Sequence, residues 1–424
     1  MPRLLGVCAA IALAVAQRPM LAQPRVLDLG HGIFEATGVA VGIGGDRTVA
    51  LPASNTFLVT TPVGNVIVDT SLAAVAPAHQ AALTARSSAP VKAIILTHAH
   101  ADHTGGVNLW RASDTAVIAH SANPEFVAYL QRLSGFYARR NAAQFGGGAV
   151  AGAATGSGQT IPPVPTRTFD ERETLTVGNV EFTLLHTPGE TPDHLTVWMP
   201  QFKTAFIGDN YYESFPNLYT LRGTRPRWAL DYVESLNKVL ALEPELVLPS
   251  HGQPIRGRDE VKRRLTQYRD AILYVHDATL KGMNAGKDVF TLMREIKLPP
   301  ALDVGESYGK LTWSIRGIYE GYVGWFDGNP TTMYEMSPRE AYPEVVAMAG
   351  GPEAVAARAQ ALAATAPVRA LALTDMALAA DASHVRTLEV RLAILRALDR
   401  ASKNSNERGW LAAAMRDVET RLKR

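Results

Sequence analysis

Cysteine is almost missing from this chain: Cys8 is the single one in 424 residues. One thiol closes no intramolecular disulfide, and Cys8 sits in a leader-like N-terminus, so a thiol nucleophile is excluded as well. Aromatic residues are sparse at 7%, and neither sign of charge dominates, with 42 Lys and Arg against 40 Asp and Glu. No basic or acidic run points to nucleic acid, and the balance argues against electrostatic capture of polyanions. Long apolar runs are lacking too. Residues 4–15, after Arg3, are too short to span a bilayer comfortably and lead to small-residue sites near Ala16 and Ala22. That is the pattern of a cleavable secretory signal, not of an anchor. Removing residues 1–22 takes Cys8, Arg3 and Arg18 away and leaves 40 basic against 40 acidic side chains. The mature chain is then formally neutral and expected in the periplasm or outside the cell.

The chain does hold a dense histidine cluster. Thr97-His98-Ala99-His100-Ala101-Asp102-His103-Thr104-Gly105-Gly106 follows the apolar run Val91-Lys92-Ala93-Ile94-Ile95-Leu96, which reads as a buried strand. Residues two apart share a face of extended backbone, so His98 and His100 can reach one ion together. Past the strand end the chain turns, and Asp102 and His103 can address a second ion nearby. Imidazole mixed with carboxylate suits zinc or a similar first-row metal better than calcium or magnesium. Three further strand-like runs stop at ligand-capable residues. Glu181-Phe182-Thr183-Leu184-Leu185 leads to His186, Glu190 and His194; Thr204-Ala205-Phe206-Ile207 leads to Asp209; Leu246-Val247-Leu248-Pro249 leads to His251. Loops gathered at one sheet edge are the expected way to build such a site.

The order and spacing resemble the metallo-β-lactamase superfamily, whose signature is His-x-His-x-Asp-His followed by three later single ligands. That resemblance implies two zinc ions per subunit, other divalent transition metals being possible. His98, His100 and Glu190 would hold one, Asp102, His103 and His251 the other, with Asp209 bridging. Most of the superfamily has His where this chain has Glu190; the alkyl sulfatase branch has Glu there. His194 is the alternative ligand for that slot. With Glu190, three carboxylates and a bridging hydroxide offset the +4 of two cations, so a weaker electrophile is expected. Other segments resemble the same branch. Asn217-Leu218-Tyr219-Thr220-Leu221-Arg222-Gly223 is similar to the stretch where an Arg faces the sulfate, which implies substrate contacts from Asn217, Tyr219 and Arg222 and catalytic roles for Asp102, Tyr219 and Arg222. Tyr137-Ala138-Arg139-Arg140 sits at the branch's Arg pair, Tyr274-Val275-His276-Asp277 with Met283-Asn284 on a helix after the last ligand, and Tyr322-Val323-Gly324-Trp325-Phe326 at the start of a helical dimerisation domain.

Gly punctuation between β-rich runs over 26–69, an Ala-rich helical stretch at 73–86 and the strand at 91–97 suggest an αββα sandwich. From Asp259 onward the periodicity is helical, with Pro299-Pro300 as the expected boundary. The expected fold class is thus α/β: a signal over 1–22, an αββα catalytic domain over 23–298 and an all-α dimerisation domain over 299–424. The Gly/Ala-rich run 145–158 reads either as a surface linker or as a mobile loop over the site. Ile315, Ile318, Tyr319, Tyr322 and Trp325 fall at helical spacing, more apolar surface than one packed face needs, and this predicts a homodimer. His276 is expected to be structural. Two metals that lower the pKa of bound water make the reaction class hydrolysis, and the Arg222 and Asn217 pair favours an alkyl or related organic sulfate ester. Alkyl sulfatases commonly carry a third, sterol-carrier-like domain, and a sequence ending at Arg424 leaves a lactone, β-lactam or thioester as the alternative substrate. A non-enzymatic metal-stabilised binding or oligomerisation protein is the remaining alternative. No nucleic acid and no stable membrane anchor are expected.

Overall fold

The computed structural model describes residues 24–37, 40–41, 51–146 and 163–424. The expected signal at 1–22 and most of the Gly/Ala-rich run lie outside the described residues. Two sheets stack face to face. The first runs β1 (Val26–Gly30), β2 (Ile33–Ala36), β5 (Thr56–Thr61), β6 (Gly64–Val68), β7 (Val91–Ile95), β8 (Ala116–His120) and β9 (Arg167–Phe169), with β3 (Ala40–Val41) and β4 (Leu51–Pro52) forming a small separate ribbon. The second runs β10 (Arg172–Val177), β11 (Val180–His186), β12 (Leu195–Met199), β13 (Thr204–Gly208), β14 (Leu246–Pro249) and β15 (Ile255–Arg256). The first sheet turns from antiparallel to parallel at β6–β7, and β13–β14 is the parallel pair of the second.

Strand composition explains the layering. Strands β6, β12, β13 and β14 are buried along their whole length, as expected for strands covered on both faces. Val59, Val66 and Val68 of the first sheet meet Phe182, Leu184, Val197 and Phe206 of the second in the central core. On the outer face of the first sheet, Ile67 and Ile94 pack against Leu83, Val107 and Trp110 of short helices. On the outer face of the second, Ala205 and Val247 pack against helices Ala229–Ala241 and Arg258–Asn284. The αββα expectation is met, and a helical C-terminal region follows.

Two local expectations change. The 73–86 stretch narrows to the helix Ala76–Thr84, which starts at a proline suited to its first turn. The apolar series at 313–325 does not form one exposed stripe. Ile315 and Ile318 are 0% and 6% exposed and belong to the same core as Phe215, Tyr268 and Leu292. The helix Leu311–Val323 ends at Gly324, whose φ of +74° an L side chain resists. Trp325, 76% exposed, therefore lies beyond the helix. Residues on either side of Pro299 share that core, whereas Val346 to Val418 supply separate cores of their own.

Candidate metal centre

The parallel strands end at one edge, and backbone hydrogen bonds tie the two sheets together there. Leu195 donates its N–H to Thr97, and Asn55 donates to Ser250, which itself donates to Gly208. Thr97, next after Leu96, donates both its N–H and its Oγ1 to Asp69 at 2.8 Å. The histidines follow on the turn into the short helix Ala101–Thr104. Gly105 and Gly106 let that turn settle onto the Asp69 loop. A Cβ on either would come within 2.4 Å of backbone atoms of Ala73 or Thr70.

The geometry groups the predicted ligands into two sets. Asp102, His103, Asp209 and His251 each offer one ligand atom within 4.8 Å of the others, as do His98, His100 and Asp209. Asp209 belongs to both sets, in the place where a bridging carboxylate would stand. Its Oδ2 lies 3.3 Å from His103 Nε2, 3.4 Å from His251 Nε2 and 3.8 Å from His98 Nε2. Glu190 Oε1 approaches His100 Nδ1 at 3.7 Å, on the side of the His98–His100 set.

These residues fit a divalent metal. Among the described residues, His103 Nε2 and Asp209 Oδ1 are buried with no hydrogen-bond partner, an arrangement that costs free energy unless something binds there. The rings are aimed by outer partners, as metal-binding imidazoles usually are. His103 donates Nδ1–H to Asp69 at 2.8 Å, and His98 Nδ1 meets Thr97 Oγ1 at 3.1 Å.

His194 does not take part in the ligand set. Its Nδ1 donates to the Thr187 carbonyl at 2.9 Å, and its Nε2 accepts the Asp209 N–H at 3.1 Å. Both nitrogens are used, and burial lowers its pKa to about 4, so it stays a neutral strut beneath Asp209. Gly208 makes room for it: a Cβ there would lie 2.3 Å from His194 Nε2.

Charge is balanced differently in the two sets. Burial opposes a charge on His103, but Asp209, Asp102 and Asp69 together outweigh it and hold its pKa well above the ordinary range. His251, opposed by burial and favoured by Asp209 and Asp102, is raised to about 10. His100 goes the other way, pushed down by burial and then by Arg227 and Arg222. Glu190 carries its own counter-charge. Its Oε2 accepts from Arg227 Nη1 at 2.6 Å and from the Tyr232 hydroxyl at 2.8 Å, which leaves Oε1 facing His100. The extra negative charge expected at this slot is therefore offset by a buried guanidinium.

Similarity to known proteins agrees with this layout. Residues 50–251 match the metallo-beta-lactamase superfamily, and residues 290–421 match the alkyl sulfatase dimerisation family. A linear primary-alkylsulfatase from a Pseudomonas species is 30% identical over 79% of this chain and 68% of its own length. The chain belongs to the alkylsulfatase branch of the metallo-β-lactamase superfamily. The alkyl/aryl-sulfatase of Saccharomyces cerevisiae is 27% identical over 80% of this chain but 56% of its own length. In structure, the stereoselective inverting sec-alkylsulfatase Pisa1 from Pseudomonas sp. shares the fold, with a TM-score of 0.81, 24% identity, and coverage of 93% of this chain and 66% of that one.

Around the metal centre of this alkylsulfatase-type chain, the other predicted residues divide. Asn217 is buried, and its side-chain Oδ1 and Nδ2 have no partner among the described residues. Arg222 is half-buried and close enough to His100 to depress its pKa. Tyr219 is 41% exposed, and its Cβ packs against Gly317 of the helix Leu311–Val323. His276 bridges Asp277 Oδ1 at 2.8 Å and the Tyr322 hydroxyl at 2.9 Å, joining two helices away from the ligands. Sequence reasoning missed Asp69, Arg227, Tyr212 and Tyr232. Tyr212 donates its hydroxyl to Asp209 Oδ2 at 2.7 Å. Asp69 did carry a signal, because it ends an apolar strand just as the ligands do.

Proposed function

We propose that this chain is a binuclear, zinc-dependent hydrolase of alkyl or related organic sulfate esters, exported to the periplasm by residues 1–22 and active as a homodimer. Its catalytic part spans 23–298 and its dimerisation part 299–424. The observation that carries the substrate class is the company of the His98–His100–Glu190 set: Arg227 holds Glu190 and donates to the Asn217 carbonyl, Arg222 lies close enough to depress His100, and the buried Asn217 amide has no partner among the described residues. Such a group of donors suits a tetrahedral, singly charged ester better than a neutral lactone or amide. The alkylsulfatase names of the relatives support the same reading.

When bound, a pair of divalent cations supplies Lewis acidity and an activated water. The chain's own residues do the rest. Asp209 is held from two sides, by Tyr212 on Oδ2 and by His194 on its backbone, so its free Oδ1 keeps a fixed direction. Arg227 and Tyr232 take one oxygen of Glu190 and present the other. Arg222 and Asn217 orient the sulfate group, whose oxygens gather charge as the ester bond breaks.

A screen of the zinc-loaded mature protein against an alkyl sulfate, a phosphate ester, nitrocefin and a homoserine lactone tests the reading. Turnover of the sulfate ester well above the others is expected. Preference for the lactone or for nitrocefin would overturn the substrate class, and binding of an alkyl sulfate without turnover of any ester would overturn the activity.

A further inference from the structure

Arg222 has little of its own to hold it. The hydrogen bond its guanidinium makes among the described residues is a long one, 3.4 Å to Thr220 Oγ1, and it lies 5.7 Å from the Phe145 ring centroid. Its direction must therefore come from the backbone that carries it. That backbone is gripped at two successive carbonyls. Arg140 donates Nε–H to the Arg222 carbonyl at 2.7 Å and Nη2–H to the Leu221 carbonyl. One planar fork bridging two acceptors fixes both position and orientation, which a single point donor does not.

The fork is itself clamped between aromatic rings from two parts of the chain. Arg140 lies 5.3 Å from the Phe136 centroid on its own helix, Ser134–Phe145, and 5.1 Å from the Trp410 centroid. Trp410 belongs to the C-terminal helix Ser405–Leu422. That helix is locked in register against the first. Trp410 Nε1 donates to Gln144 Oε1 at 3.1 Å, and Gln144 Nε2 donates to Asn406 Oδ1 at 2.7 Å. Gly409 abuts the Gln144 carbonyl so closely that a Cβ would stand 1.8 Å from its oxygen. A chain of contacts thus runs from the C-terminal helix through Arg140 to the backbone of Arg222.

We propose that Arg140 and Trp410 are positioning residues for Arg222, so that the C-terminal helical region sets the affinity of the site for the anionic end of the substrate. The proposal rests on the reading that Arg222 meets the sulfate group. It gives the region matched to the dimerisation family a second task within its own subunit.

The test uses the full-length, metal-loaded protein, with an alkyl sulfate as substrate and inorganic sulfate as competitive inhibitor. Arg140→Gln and Trp410→Leu are each expected to raise KM and the sulfate inhibition constant about tenfold, with kcat altered less than about threefold and metal content unchanged. Trp410→Phe, which keeps a ring over the guanidinium, retains near-normal KM; Arg140→Lys, which cannot bridge two carbonyls, does not. In an Arg222→Ala background, adding Arg140→Gln changes the sulfate constant less than about twofold, because the residue it positions is gone. Normal KM and sulfate inhibition in folded Arg140→Gln, or full additivity with Arg222→Ala, overturns the positioning role. A sulfate constant untouched by Arg222→Ala overturns the anion-binding reading itself, a separate outcome. Thermal melting identifies variants that fail to fold, and the comparison of Trp410→Phe with Trp410→Leu carries the test if Arg140→Gln is among them.

Discussion

The two halves of the metal centre hold the same kinds of ligand but balance charge in opposite ways. Around His103 and His251, neighbouring carboxylates outweigh burial and favour the protonated imidazole. Around His100 and Glu190, the counter-charge is the permanent guanidinium of Arg227, 2.6 Å from the carboxylate. A proton leaves when a metal arrives; a guanidinium does not. One half favours protons where a cation would sit, and the other carries a fixed positive charge beside its carboxylate.

The largest effect should come from destroying the first kind of half-site. Asp102→Ala removes a ligand and one of the carboxylates facing His251, and is expected to cost one metal ion and nearly all turnover, as read by elemental analysis and kinetics. On the other half, Arg227→Met strands Glu190 as an uncompensated buried charge. A loss of about 3–5 kcal/mol in stability is expected in the metal-free protein, measurable by denaturant melts, and it should shrink on metal loading. Arg222→Ala should lower kcat/KM on sulfate esters by roughly a hundredfold. Metal content should be unchanged and neutral esters much less affected; equal losses on both substrate types would reduce Arg222 to a structural residue.

A smaller effect sharpens the contrast between the halves. His251 must shed a proton before its Nε2 holds a cation, so zinc affinity should rise with pH toward about 10. Calorimetry in buffers of different protonation enthalpy should show proton release in the wild type. Conversion of His251 to Ala should remove much of it.

Least visible in turnover is Glu35, fully buried on β2 with neither carboxylate oxygen partnered among the described residues. Burial, opposed by Arg256 and Arg25, raises its pKa from 4.5 to about 8. Between those values the folded chain keeps a proton that the unfolded chain gives up, so stability falls as pH rises through that window. Glu35→Gln should flatten the Tm profile there while leaving activity unchanged; an unaltered slope would assign the pH dependence elsewhere.

Much of this was legible in the sequence because the ligands are local in kind. His98, His100, Asp102 and His103 lie within one short stretch, and Glu190, Asp209 and His251 follow the ends of apolar strands, so spacing nominated candidates and the family resemblance chose among them. Arg227 was hidden because its partner is 37 residues away and nothing local marks an Arg as buried. Tyr212 and Tyr232 were hidden because a tyrosine three residues past Asp209, or one 42 residues past Glu190, looks in sequence like any core aromatic. Tyr219 differs from its motif neighbours in a way the sequence does not signal. Its motif neighbours turn inward, yet its own side chain is exposed on Gly317 because the helix Leu311–Val323 takes that face. The series at 313–325 was misread because periodicity cannot tell a helix buried inside one subunit from a helix waiting for another.

The pairing of Glu190 with Arg227 also constrains the routes by which such a chain can change. Replacing Glu190 by His would supply the imidazole common in the wider superfamily, but would leave a buried guanidinium facing a cation with no anion between them. Replacing Arg227 first would leave a buried carboxylate without its counter-ion until a metal arrived. Neither single step is neutral, so the two positions must exchange together or through an intermediate that is less stable or less able to hold metal. Within this fold, the choice of ligand at position 190 is a commitment shared with residue 227.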